Sequence, residues 1–314
     1  MSRWADIESA AQQPTTVVNS GVLGATPPAA PRVRRSDRLM FGSIDVASHI
    51  FQRRARQVLI GSAILMLPMV ALHLLLTILA FDHYERFDGL LGDRGYIGVE
   101  TGLVMLGLTI QSFTAHIIGA YTAAYLVPYQ MGAESTVATC LRKVLRKLPL
   151  LFVTWSLTHW LILLVLWGLA TSASADVLGA LWILAPLVAM VSAGTLLVAP
   201  VVMTEQRGVR SIGRAWRLAR TRFGAAFGFV LACALLGTML SAFIALLPSL
   251  AESTGFITFG SLGWMVQGVT TQLAVLIVVP FVAIATSQMY LHLRVHAEGL
   301  DIVIAADRAF GASL

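Results

Sequence analysis

A chain of 314 residues that is 57% hydrophobic and only 12% charged, with a mean hydropathy of +0.78, is too apolar for a soluble domain. Its net charge of +6 does not signal nucleic acid, because the basic residues lie between long apolar runs rather than on a folded basic domain, and anionic lipid is the expected counterpart. With Cys140 and Cys233 as its only cysteines, it has neither a disulfide framework nor a cysteine-based metal site.

Residues 1–38 combine Pro, Gln, Ser and Thr with Arg32, Arg34, Arg35 and Arg38 and contain no signal-peptide core, so they read as a disordered cytoplasmic tail. Residues 39–291 read as an all-α membrane domain of six transmembrane helices joined by amphipathic interfacial helices. A first surface helix is expected at 42–56, with Ile44, Ala47, Phe51, Ala55 and Val58 on one face and Ser43 as its N-cap. The first span follows at 58–81. An outer loop holds Asp82, His83, Glu85, Asp88 and Asp93, and the second span runs over 97–127. Ser135 is placed to cap a second surface helix that turns Val137, Cys140, Leu141, Val144 and Leu148 inward. Arg142, Lys143, Arg146 and Lys147 turn outward from the same helix. Spans three and four are expected at 149–170 and 177–203, the latter interrupted by Pro186 and Pro200 with Gly194 between them.

The third surface helix, 205–223, is the most strongly patterned. At 100° per residue Val209, Ile212, Trp216, Ala219 and Phe223 form an apolar stripe, and Arg207, Arg210, Arg214 and Arg217 gather opposite. That pattern suits a helix lying on a bilayer, with Trp216 as interfacial anchor, the four arginines on lipid phosphates and Glu205 in a salt bridge or cap. Spans five and six follow at 223–247 and 264–289, and a cytoplasmic tail is expected over 292–314. In this arrangement 20 of the 22 Lys and Arg fall on one side, all but Arg86 and Arg94. The positive-inside rule therefore puts both termini and the surface helices in the cytoplasm, at the inner membrane of a bacterium.

Ser43, Ser135 and Ser211 each open a surface helix, and Arg54, Arg146 and Arg222 follow eleven residues later, which suggests a threefold repeat of surface helix plus two spans. The stretches VAPVVMTEQRGVRSIGRAWRLARTRFGAAF (198–227) and YLHLRVHAEGLD (290–301) resemble the membrane domain of the glycerophosphoryl diester phosphodiesterase family. The resemblance covers most of the spans and implies a polytopic membrane architecture. It differs at His292 and His296, where family members usually carry Asp and Arg. Some members add a soluble phosphodiesterase domain, but nothing here supplies the paired carboxylates such cleavage needs, so no enzymatic activity, cofactor or metal is expected.

Within the spans Gln111, His116, His159 and Gln272, with His73, Thr114 and Gln267, are polar groups expensive to leave in lipid. They are expected either as interhelical hydrogen bonds or as the lining of a pathway. No Asp, Glu, Lys or Arg falls mid-span, which argues against a proton-coupled pump. His292, His296 and Glu298 have helical metal-ligand spacing but no evident third partner and read as a polar juxtamembrane helix. The expected function is that of a non-catalytic inner-membrane protein whose basic helices engage anionic lipid and a protein partner in envelope or lipid homeostasis. Transport of a small molecule or lipid through spans two, three and six is the alternative.

Overall fold

The computed structural model of the chain describes residues 39–82, 99–133, 135–171, 175–205, 207–255, 257–260 and 263–304. Both tails outside these bounds and most of the acidic outer loop lie outside the described residues, as do the side chains of His73 and Gln267. The described residues form helices and short connections and contain no strand. In chain order the helices are α1 (Leu39–Asp82), α2 (Val99–Gln130), α3 (Val137–Arg146), α4 (Leu148–Thr171), α5 (Ala175–Thr195), α6 (Val198–Glu205), α7 (Ser211–Thr221), α8 (Phe223–Ser253) and α9 (Gly263–Glu298). Among the described residues four segments are long and apolar enough to cross a membrane: Leu39–Leu72, Pro186–Glu205, Phe223–Ser253 and Gly268–Glu298. The helices α2 and α4 occupy the positions expected for the second and third spans.

Helices α1, α2 and α9 pack together as the centre of the bundle. The close approach of α1 and α2 depends on Gly61, because a β-carbon there would collide with the ring of Tyr121. Tyr121 is fully buried and donates its hydroxyl to the Gln57 carbonyl at 2.8 Å, so its polar tip is satisfied inside the contact. On the other side of α1, Phe51 meets Phe281 of α9 edge to face at 5.9 Å. Nearer the start of α1, the buried Ser43 hydroxyl donates to the Leu39 carbonyl at 2.6 Å and lies 3.0 Å from His292 Nδ1.

The first surface helix and the first span follow each other without a loop, and α1 is two helical stretches, 39–53 and 55–82, joined across a kink. It bends at Arg54, whose backbone leaves helical geometry (φ −126°, ψ 16°) while its guanidinium sits over the Tyr129 ring at 4.7 Å. The other two surface helices likewise join their following helices through one non-helical residue each: Lys147 (φ −97°, ψ 4°) after α3 and Arg222 (φ −142°, ψ 54°) after α7. Ser43 therefore lies inside a helix rather than capping one. The cap of α3 is Thr136 in a reciprocal box with Thr139, while Ser135 donates to the Tyr125 carbonyl at 2.9 Å. Ser211 is buried and makes no side-chain cap.

Lys147, expected to face outward, instead donates to the Val202 carbonyl near the end of α6 at 2.7 Å. Burial and the neighbouring Lys143 pull its pKa down. Cys140 is buried as expected, and burial pushes its thiol pKa up. The fourth apolar segment breaks into α5 and α6 at Leu196–Leu197, because Pro200 cannot donate to the Leu196 carbonyl. The break lies beside Gly194, against which the Trp216 indole packs so closely that any side chain there would collide with it. The interruption thus serves packing. The last helix passes through the domain boundary expected at residue 291 and ends at Glu298, with Leu291, Leu293 and Val295 buried.

Gly61→Ala is expected to destabilise the protein by about 1–3 kcal/mol, the range for overpacking a filled contact. Thermal unfolding in detergent tests this, and combining it with Tyr121→Ala should recover part of the loss that Gly61→Ala causes in the parent background.

Candidate functional site

The charged residues converge at one end of the bundle, where α6 stops, α7 begins and α9 finishes. Glu205 closes α6 after a run in which Val198 to Met203 are all buried, so its carboxylate is delivered to an interior position and is only 8% exposed. A carboxylate this enclosed requires several donors. Arg214 Nε reaches Oε2 at 2.8 Å, Arg207 Nε reaches the same oxygen at 3.1 Å, and the Tyr290 hydroxyl donates to Oε1 at 3.0 Å. Arg294 Nε stands 4.0 Å from Oε1. Arg214 then extends a terminal nitrogen to Glu298, which also accepts from Arg294 Nε at 2.9 Å. Thr204 Oγ1 lies 2.7 Å from the Tyr290 hydroxyl, which in turn accepts from Arg294 at 3.3 Å. Three arginines and two glutamates thus join α6, α7 and α9 in one knot.

The four arginines expected on lipid phosphates fall into two groups. Arg214 is 15% exposed and its guanidinium is engaged by Glu205 and Glu298; Arg207 is half-exposed and pairs with Glu205. Arg210 and Arg217 are exposed, as are Arg220 and Arg222 further along. Trp216, expected as an interfacial anchor, is half-buried with its ring on Gly194. The face of α7 that packs inward is Ser211, Ala215, Leu218 and Ala219, roughly a quarter turn from the expected stripe at 100° per residue. Small residues let α7 lie close on the protein core, and Val209 of the expected stripe is exposed.

The intramembrane polar residues are only partly brought together. His116 of α2 and His159 of α4 meet edge to face at 5.6 Å. His159 Nδ1 lies 2.8 Å from Thr158 Oγ1 and 3.3 Å from the Trp155 carbonyl. Trp155 donates its indole N–H to Ser112 at 3.2 Å, which adds a second polar link between α2 and α4. His116 Nε2 is buried without a hydrogen-bond partner. Gln111 and Gln272 are half-buried on α2 and α9. Of the residues with metal-ligand spacing, His292 turns to Ser43 and Glu298 to the arginines, and no group of three potential ligands forms among the described residues.

Sequence reasoning missed Tyr290, Arg294 and Glu298 as the partners of Glu205 and Arg214. The signal was present in their i, i+4, i+8 spacing, which puts all three on one helical face and sets Arg294 and Glu298 as an i, i+4 pair. Comparison with family models, with curated proteins and with solved structures found no match to this chain.

Removing Arg214 leaves an enclosed carboxylate short of its main partner. Arg214→Gln is therefore expected to destabilise the protein by about 3 kcal/mol, whereas Arg210→Gln at an exposed position should stay within about 0.5 kcal/mol of the parent. Equal effects in denaturant titrations of the two variants would contradict this division.

Proposed function

We propose that the chain is a non-catalytic, six-span protein of a bacterial inner membrane, with both termini and the surface helices in the cytoplasm. Its basic surface engages anionic lipid and a protein partner in envelope or lipid homeostasis. The observation that carries this reading is the division among the arginines of 207–220: Arg207 and Arg214 are held by carboxylates, while Arg210, Arg217 and Arg220 remain exposed at the end of apolar helices. Exposed guanidinium groups at that level meet lipid phosphate in bidentate geometry and add up along an anionic leaflet. The lopsided distribution of Lys and Arg supports the orientation.

The threefold repeat gains support from the backbone. The non-helical residues Arg54, Lys147 and Arg222 fall eleven, twelve and eleven residues after Ser43, Ser135 and Ser211, which matches the proposed units to within one position. The likeness of 198–227 and 290–301 to the glycerophosphoryl diester phosphodiesterase membrane domain is consistent with this architecture, and the knot links those same two stretches.

Converting Arg210, Arg217 and Arg220 to Gln should leave membrane insertion intact and weaken binding of the purified protein to vesicles containing phosphatidylglycerol. The residual difference should shrink as salt is raised. Unchanged vesicle binding at low salt would sink the lipid-contact reading.

The second reading, transport, is favoured by the meeting of His116 and His159 with a buried, unpartnered imidazole nitrogen between α2 and α4. If it holds, solute efflux from proteoliposomes should be present with the parent and lost with His116→Ala plus His159→Ala. Efflux equal to that of protein-free vesicles removes it.

A further inference from the structure

The charge knot contains one more cation than anion, because Arg207, Arg214 and Arg294 face only Glu205 and Glu298. The two carboxylates are not equivalent. Glu205 is 8% exposed and accepts from Arg214, Arg207 and Tyr290, so it is fixed in the interior. Glu298 is 28% exposed, sits in the last turn of α9, and is followed by Gly299 at φ 62°, where the helix ends. Its carboxylate is held by two guanidinium groups alone, and both also reach toward Glu205.

We propose that this knot is an anion-exchange site in which a phosphate group takes the place of the Glu298 carboxylate on Arg214 and Arg294. A phosphodiester carries one negative charge on two non-bridging oxygens, so it replaces the carboxylate charge for charge and accepts the same paired N–H donors. Arg214 and Arg294 would then hold the ligand beside Glu205, while the Tyr290 hydroxyl, given to Glu205 and next to Arg294, keeps the donors oriented. Glu298 acts as a tethered competitor: the apparent affinity for an added phosphate group equals the intrinsic affinity reduced by the fraction of time Glu298 is away. The shared chemistry admits a lipid headgroup or free phosphate, and only the lipid source rests on the function proposed above.

The test uses the full chain purified in a nonionic detergent, with inorganic phosphate and dioctanoylphosphatidylglycerol titrated separately and binding read by calorimetry. Glu298→Gln removes the competing charge while keeping a hydrogen-bond acceptor for the arginines, and should tighten binding by about tenfold or more. Arg294→Gln, at a partly exposed position, should weaken it by a similar factor relative to the parent. Tightening confined to the lipid assigns the ligand to a headgroup, and tightening with inorganic phosphate assigns it to free phosphate. Binding that is unchanged or weaker in a folded Glu298→Gln protein overturns the site. Loss of vesicle binding through Arg210, Arg217 and Arg220 is scored independently, so that the surface reading and the exchange site stand or fall separately.

Discussion

A carboxylate placed at the end of a buried apolar run imposes an arrangement on everything around it. Glu205 follows Val198–Met203 with no exposed residue between, so the chain must bring donors to it from elsewhere. It does so from two directions: Arg207 and Arg214 from the segment that immediately follows, and Tyr290 and Arg294 from α9, more than eighty residues later. Satisfying that one group fixes the seat of α7 on the bundle and the register of α9 against α6. The small inward face of α7 and the glycine seat for Trp216 are consequences of the same approach.

The arginines of the third surface helix do two different things, and amphipathic periodicity treats them alike. A helical wheel records only angle, and at 100° per residue Arg214 lies among Arg207, Arg210 and Arg217. What separates them is the neighbour on the other side: Arg214 projects at the edge of the face formed by Ala215 and Leu218, where α9 runs past, and Arg210 and Arg217 do not. A surface that looks uniformly basic in the sequence is therefore partly internal counter-charge and partly free cation.

Long apolar helices were legible because apolar length is a strong, local signal: the four membrane-length segments among the described residues overlap four of the six expected spans, while their ends differ, as at Leu39 and Glu298. The break near Pro200 was legible for the same reason, since a proline removes a donor wherever it stands. The inward face of α7 was legible only at Ala219, because Ser211 and Ala215 carry little hydrophobic weight, and amphipathic periodicity favours Trp216 and Phe223 over small residues that allow close packing. The three serines misled as caps because the sequence does not show which neighbour a hydroxyl meets: Ser43 found Leu39 and His292, Ser135 found Tyr125, and Ser211 became buried. At the site Glu205 was expected in a salt bridge or cap and Arg214 on lipid phosphate; the i, i+4, i+8 spacing marks Tyr290, Arg294 and Glu298 as one face of α9, but which residues that face meets is a tertiary contact the spacing does not encode.

The position of Glu298 and Arg294 near the end of the described chain bears on the order of assembly. A protein is synthesised from its N-terminus, so α6 and α7 emerge with Glu205, Arg207 and Arg214 able to pair only with one another. The second carboxylate and the tyrosine hydroxyl arrive with α9, after α1 to α8 have been made. Closure of the knot is thus a late event, and the charged end of the bundle gains its full set of partners only when α9 has docked along α1 and α2. α9 thus acts as a clasp that ties the charged ends of α6 and α7 together.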